Sequence, residues 1–294
     1  MSHAKFFMTI QKDICNAFQA QESEGAFHFD HWQSALGKGE SAFLEAGAVF
    51  EKGGVNFSQV QSSALPRAAT ERNPELAGHP FEAMGVSVVM HPRNPYAPTS
   101  HFNVRLLEVE LLDRKHWWVG GGFDLTPYYG FVEDCVLWHQ CARDACNPFG
   151  KDLYPQFKKW CDEYFYLKHR QEARGIGGLF FDDQVFDDQK TALAFLRSVT
   201  DAYIVAYTKI ISRRKDQPYG ERERTFQTYR HGRYVEFNLV YDRGTAFGLQ
   251  SGGRAESILM SLPHQVEWRY NWHPEVGSPE EKLYTDFLPI RDWV

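Results

Sequence analysis

The order of its segments constrains this chain most. Strand-forming stretches follow one another at residues 27–33, 42–61, 82–91, 101–112 and 116–124, bounded by glycine, proline and small polar residues. Helix-forming stretches come later and in groups, near 131–146, 153–173, 189–213, 255–261 and 279–288. Two further stretches, Val235–Asp242 and Val266–Trp272, also read as strands. Strands that are not separated by helices argue against a doubly wound parallel fold and for a large, mostly antiparallel sheet with flanking α-helices, an α+β architecture. No repeat, low-complexity tract or linker divides the chain, so residues 1–294 are expected to form a single domain.

The segment HPRNPYAPTSHFNVR, residues 91–105, joins two of these strands. Pro92, Pro95 and Pro98 stiffen it, so His91 and His101 stand at the two mouths of one loop, at the same end of the sheet. Two readings stay open. A single loop histidine is ordinarily solvated or bonded to backbone, whereas a pair beside Arg93 and Arg105 suits an anion or a metal. Period-two spacing puts His101, Asn103 and Arg105 on one side of their strand.

In WWVGGGFDLTPYYGF, residues 117–131, three consecutive glycines permit close backbone approach, but neither a phosphate-loop nor a dinucleotide fingerprint is present. Asp124 follows them and reads either as a turn residue capping Thr126 and Pro127 or as an acceptor for a flat, apolar ligand held among aromatic rings. His139 and His169 fall in helical stretches without metalloprotease spacing. GIGGLFFDD, residues 175–183, leads into a strand that ends in paired acids. Asp242, Arg243 and Gly244 are read as closing a strand, and Gly252, Gly253 and Arg254 precede a helix start. Arg243 and Arg254 are carboxylate clamps on one reading and surface partners of Asp242 and Glu256 on the other.

Composition bounds the class of partner. With 43% hydrophobic and 24% charged residues the chain can bury a large core. A net charge of −6 without any basic run argues against nucleic acid, so an anionic ligand must be met by local arginines. The amino-terminal stretch carries Ile10, Ile14 and Phe18 at helical spacing and is too short in apolar run for a signal peptide; no membrane span is expected. Five cysteines without a C-x-x-C pair fit a reducing cytoplasm.

Four blocks, residues 85–105, 117–131, 164–183 and 232–263, resemble the signature segments of the oxygen-dependent coproporphyrinogen III oxidases, and the resemblance runs almost end to end. It implies a homodimer built on a flat antiparallel sheet between helices. The implied reaction converts two propionates of coproporphyrinogen III into vinyl groups with O2 as co-substrate and no organic cofactor, yielding protoporphyrinogen IX, CO2 and H2O2. By similarity His101 is the proton donor, Asp242 accepts from pyrrole N–H groups and Arg243 pairs with a propionate. Ser87, Asn103, Val104, Arg105, Asp124, Gly252, Gly253 and Arg254 line the substrate site. His91, His101, His139 and His169 match four histidines assigned in some bacterial members to a divalent metal, manganese among them. Leu137 stands where relatives often carry a further histidine, and His231 where arginine is commoner. A non-catalytic tetrapyrrole carrier would use the same aromatics and arginines without turnover, and a histidine-liganded hydrolase would lose activity on chelation.

Overall fold

The computed structural model describes residues 2–65, 74–112, 114–250 and 252–294. Helix α1 (His3–Gln19) leads into strands β1 (His28–Ser34), β2 (Gly37–Glu45), β3 (Phe50–Ser62), β4 (Phe81–Pro92), β5 (Thr99–Glu110) and β6 (Lys115–Thr126). Next come α2 (Val132–Cys146), α3 (Leu153–Tyr164), the small hairpin β7 (Tyr166–Leu167) and β8 (Glu172–Ala173), and β9 (Gly178–Gln184). Helices α4 (Gln189–Arg214), α5 (Glu221–Val240), α6 (Arg243–Gln250), α7 (Ala255–Leu259) and α8 (Pro279–Lys282) complete the chain. The main sheet has the order β1-β2-β3-β4-β5-β6-β9 and every neighbouring pair is antiparallel. Six of its seven strands therefore form a continuous meander, and the single strand-forming stretch expected over 42–61 is divided between β2 and β3.

Local chemistry starts the helices. Ser2 caps α1 by accepting from the Lys5 N–H, and Asp188 caps α4 by accepting from the Thr191 N–H at 2.7 Å. Phe7, Ile10, Ile14 and Phe18 form the buried stripe of α1. That stripe and α4 pack on one face of the sheet, where Val86, Val88, Phe102, Val104, Leu106 and Phe123 are buried. Phe102 stacks on Tyr203 of α4 with ring centroids 4.8 Å apart. Burying each such side chain contributes about 1.5–3 kcal/mol, and a one-residue slip of register would turn the whole set to the other face.

Two expected strands are absent. Val235–Asp242 forms the last turns of α5 and the residues just after it, because Phe226, Tyr229, Arg230, Arg233, Tyr234 and Phe237 recur at helical spacing and are buried together. Tertiary packing overrides the strand propensity of valine, tyrosine and phenylalanine here. Val266–Trp272 has no regular structure, although the Glu267 N–H donates to the Thr228 carbonyl at 2.9 Å. The helix expected over 153–173 stops at Tyr164, and His169 lies in the β7–β8 turn.

Candidate active site

Residues paired directly across strands share a face of a sheet, so the register defines what lies opposite the dry core. Val89, His101 and Asp124 form one row, Ser87, Asn103 and Gly122 the next, and Gly85, Arg105 and Gly120 the third. This face is floored by polar groups and glycine. A Cβ on Gly120 would lie 2.8 Å from the Arg105 guanidinium, so only glycine lets that side chain cross β6. At Gly122, φ is +139° and a Cβ would sit 1.9 Å from the Leu179 carbonyl oxygen. The triple glycine serves close approach, in keeping with the lack of a phosphate-binding pattern.

Asp124 is no turn cap. It lies within β6, 1% exposed, and its carboxylate accepts from Arg174 through Nε at 3.1 Å and Nη2 at 2.7 Å. The Oδ1 atom also takes a hydrogen bond from His101 Nδ1 at 2.9 Å. Burial pushes this carboxyl up, but Arg174 and His101 outweigh it and hold it below the usual carboxylate range. His101 keeps its Nε2 without a protein partner among the described residues and sets its ring edge against Phe165 at 5.6 Å.

Asp242 stands between α5 and α6. Its Oδ2 accepts from the Thr245 N–H at 2.8 Å and the Thr245 hydroxyl at 2.7 Å, capping α6, while Oδ1 accepts from the Tyr164 hydroxyl at 3.0 Å. Burial raises its pKa; the Thr245 hydrogen bonds, His101 and Tyr164 together bring it below the ordinary value, so the group is ionised. Arg243 does not pair with Asp242. It lies 3.6 Å from Asp182, which Arg105 contacts at 2.8 Å. Asp182 is thus bracketed by two guanidiniums, and Arg105 also donates to Asn103 at 2.9 Å.

The remaining predicted residues are spread more widely, Arg254 at the far end of the cross-strand row that contains Ser87 and Asn103. Arg254 pairs with Asp30 of β1 at 2.5 Å and donates to Ser257 at 3.1 Å; Glu256, its expected partner, is 3.9 Å away. Strand β1 is four strands from β5, about 19 Å at normal strand spacing. Gly253 packs its N–H on the Gly248 carbonyl at 2.8 Å, and Gly252 adopts φ +74° with open space about it. Val104 turns its side chain into the dry core. Ser87 faces the site between Asn56 and Asn103.

The four histidines expected to share a metal are not a single donor set. His91 bonds Thr99 Oγ1 at 3.0 Å through Nδ1 and donates from Nε2 to the Ser261 carbonyl at 2.8 Å. His139 in α2 donates from Nε2 to the Ile176 carbonyl at 2.8 Å and meets the Tyr154 hydroxyl at 3.0 Å. His169 bonds Glu236 at 2.7 Å and Tyr241 at 2.9 Å. Among the described residues no group of three or more His, Cys, Asp or Glu side chains is placed to hold a metal ion. Burial keeps His139 neutral, with its pKa lowered to about 4, and lowers that of His91 well below the histidine range.

Asp182, one of the paired acids at the end of its strand, sits in the site between Arg105 and Arg243; Arg174 and Tyr164 complete it and were not singled out by sequence. One signal for Arg174 existed: an aspartate inside a buried strand requires a cation or hydrogen-bond donors. Nothing in the sequence says which of the chain's arginines answers it. A sequence model of the coproporphyrinogen III oxidase family matches residues 2–293, nearly the whole chain.

Proposed function

The chain belongs to the coproporphyrinogen III oxidase family, and on that premise we propose that it oxidatively decarboxylates two propionates of coproporphyrinogen III to vinyl groups with O2 as acceptor. Each round breaks the bond to one carboxylate carbon, which leaves as CO2; the β-hydrogen leaves with it and the vinyl π bond forms. The two electrons, with the proton from the β-carbon and one proton from solvent, reduce one O2 to H2O2. Two rounds give protoporphyrinogen IX. No organic cofactor is required, because the electron-rich porphyrinogen itself supplies the electrons.

One observation supports this reading above the others: an imidazole with a bare Nε2, an ionised acceptor and two arginines stand over a glycine-floored sheet face. A flat macrocycle carrying anionic arms and central N–H donors matches that set in shape and in charge. Asp242 is the acceptor for pyrrole N–H groups, stabilising the ring as a proton leaves. Arg105 and Arg243 receive a propionate carboxylate where they now share Asp182. His101 handles the proton at Nε2, a role suited to an imidazole, whose ring nitrogen can both accept and donate a proton. Holding the ring in one orientation and excluding water supplies much of the acceleration. The reading includes a homodimer in the cytoplasm; no helix among the described residues is long and apolar enough to cross a membrane.

The deciding experiment incubates the purified protein with coproporphyrinogen III, with and without O2, and follows O2 uptake, H2O2 and porphyrin products. Turnover only in air supports the proposal. Binding without O2 uptake points to a carrier and ends the enzymatic reading. Exhaustive chelation of untagged protein is expected to leave activity intact, since the four histidines have separate partners; loss restored by manganese alone would reverse that expectation. Light scattering is expected to give the mass of a dimer.

A further inference from the structure

We propose that Arg174 is a positioning residue for His101, acting through Asp124: the guanidinium locks the carboxylate, and the carboxylate holds the imidazole as the tautomer that leaves Nε2 bare towards the site. The chemistry performed at that nitrogen rests on the function proposed above. The orientation does not.

Arg174 is the residue after β8, where the small hairpin turns back towards β9. Its side chain is 2% exposed and stacked among Phe165, Phe237 and Tyr234, whose ring centroids lie 4.1, 4.6 and 4.8 Å from the guanidinium carbon. A guanidinium cannot shed its charge, and an unpaired one at this depth would cost several kcal/mol. Asp124 supplies the counter-charge in a two-point contact, and Nη1 donates to Asn238 Oδ1 at 3.0 Å. Three donors on a rigid plane, wedged between three rings, leave the carboxylate one orientation.

That orientation decides the histidine. An ionised carboxylate only accepts, so the 2.9 Å contact requires the proton to sit on His101 Nδ1. Arg174 Nη2 also comes within 3.5 Å of Nδ1. With Nδ1 protonated this is an approach of two donors, tolerated because both point at Asp124 Oδ1. The carboxylate carbon, imidazole and guanidinium are thereby fixed as one unit spanning β5, β6 and the end of β8. Residues 101, 124 and 174 come from three separate parts of the chain, so none of this is local.

No neighbour replaces Arg174. Asp242 from the α5–α6 junction and Tyr234 from α5 face the same unit and bring no positive charge, and Cys161 from α3 lies beside Asp124 as a thiol whose pKa burial raises far above the usual value. Arg105, the nearest other arginine along β5, is engaged by Asp182 and Asn103. Without Arg174 the two-point contact that orients the carboxylate is gone, and the geometry that imposes the His101 tautomer goes with it.

The test reads the histidine itself. Full-length protein with 15N-labelled histidine is studied by imidazole NMR as wild type, Arg174→Lys and Arg174→Gln, alongside steady-state kinetics with coproporphyrinogen III. Wild-type His101 is expected as the Nδ1–H tautomer. Arg174→Gln is expected to lose that bias and to lower kcat ~100-fold with KM changed less than about threefold, a loss of the size expected for general acid–base work. Arg174→Lys should recover about tenfold of kcat and part of the tautomer signal. A folded Arg174→Gln protein with His101 still held as Nδ1–H overturns the proposal. Should that variant not fold, the double replacement Arg174→Met with Asp124→Leu removes the buried charge pair together, and persistence of the Nδ1–H form there overturns it equally. A wild-type protein that shows the Arg174-dependent tautomer but no turnover supports the positioning and removes the reaction.

Discussion

Strand β5 is two different surfaces. Phe102, Val104 and Leu106 face α4 and α1, are buried, and hold the molecule together by contact alone. His101, Asn103 and Arg105 face the other way and are held by charge and hydrogen bond, to Asp124, to each other and to Asp182. The dry face depends chiefly on filled volume, and the polar face on matched charges and hydrogen bonds. Alternation at period two lets one strand present a packed face on one side and the polar groups of the candidate site on the other.

Substitutions one residue apart test this division most sharply. His101→Ala is expected to reduce kcat by ~10²–10⁴-fold, the usual share of general acid–base catalysis, with an unfolding midpoint close to wild type. Phe102→Ala should cost about 3–5 kcal/mol of stability while the folded fraction keeps its kcat. Urea titration and steady-state kinetics on the same preparations measure both, and matching kinetic defects in the two variants would dissolve the contrast. His91→Ala is expected to act on stability rather than turnover although its side chain lies on the polar face under α5, because both ring nitrogens are bonded and the ring is buried. It should cost about 1–3 kcal/mol through the unpaired groups left behind.

Asp242→Asn comes next in size. Loss of the ionised acceptor is expected to lower kcat ~100-fold and to loosen α6 by about 1 kcal/mol, the worth of a helix cap. Near-normal turnover would remove Asp242 from the mechanism.

Acid sharpens the contrast further. His91, His139 and His231 are all buried and neutral, the last two with pKa values lowered by burial to about 4 and about 3. Unfolded, each titrates near 6.5, so below that pH the unfolded state binds protons that the folded state refuses. Stability is therefore full above about pH 6.5 and falls as pH drops towards 4, by on the order of 1 kcal/mol per pH unit for each group. Urea unfolding between pH 7 and pH 5 should show this slope, reduced by roughly a third in a folded His139→Gln protein. An unchanged slope in that variant would mean that His139 is not one of the refused sites.

The smallest effect concerns Asp182. Asp182→Asn removes the charge that Arg105 and Arg243 share, and KM for coproporphyrinogen III is expected to fall about two- to fivefold with kcat held, in line with the modest worth of partly exposed ion pairs. A rise in KM would instead show that Asp182 orients the two guanidiniums.

The largely antiparallel sheet, the proline-stiffened turn between β4 and β5, and the shared side of His101, Asn103 and Arg105 were legible in the residues themselves, because strand alternation and turn chemistry are local properties. So was the amphipathic face of α1. Local pattern misled where packing overrode it: VEFNLVYD alternates like a strand, yet it ends a helix whose buried residues lie on the sheet's polar face. The histidines that the family resemblance grouped, His91, His139 and His169, each have their own partners in the fold, and Arg254 pairs with Asp30 of β1. Only the tertiary structure selected Arg174 for Asp124 across 50 positions of sequence and brought Asp182 between Arg105 and Arg243. Alternation is written into each strand by its own backbone geometry, whereas the choice of partner for a buried charge is made by whichever opposite charge the closed chain carries into the same dry volume.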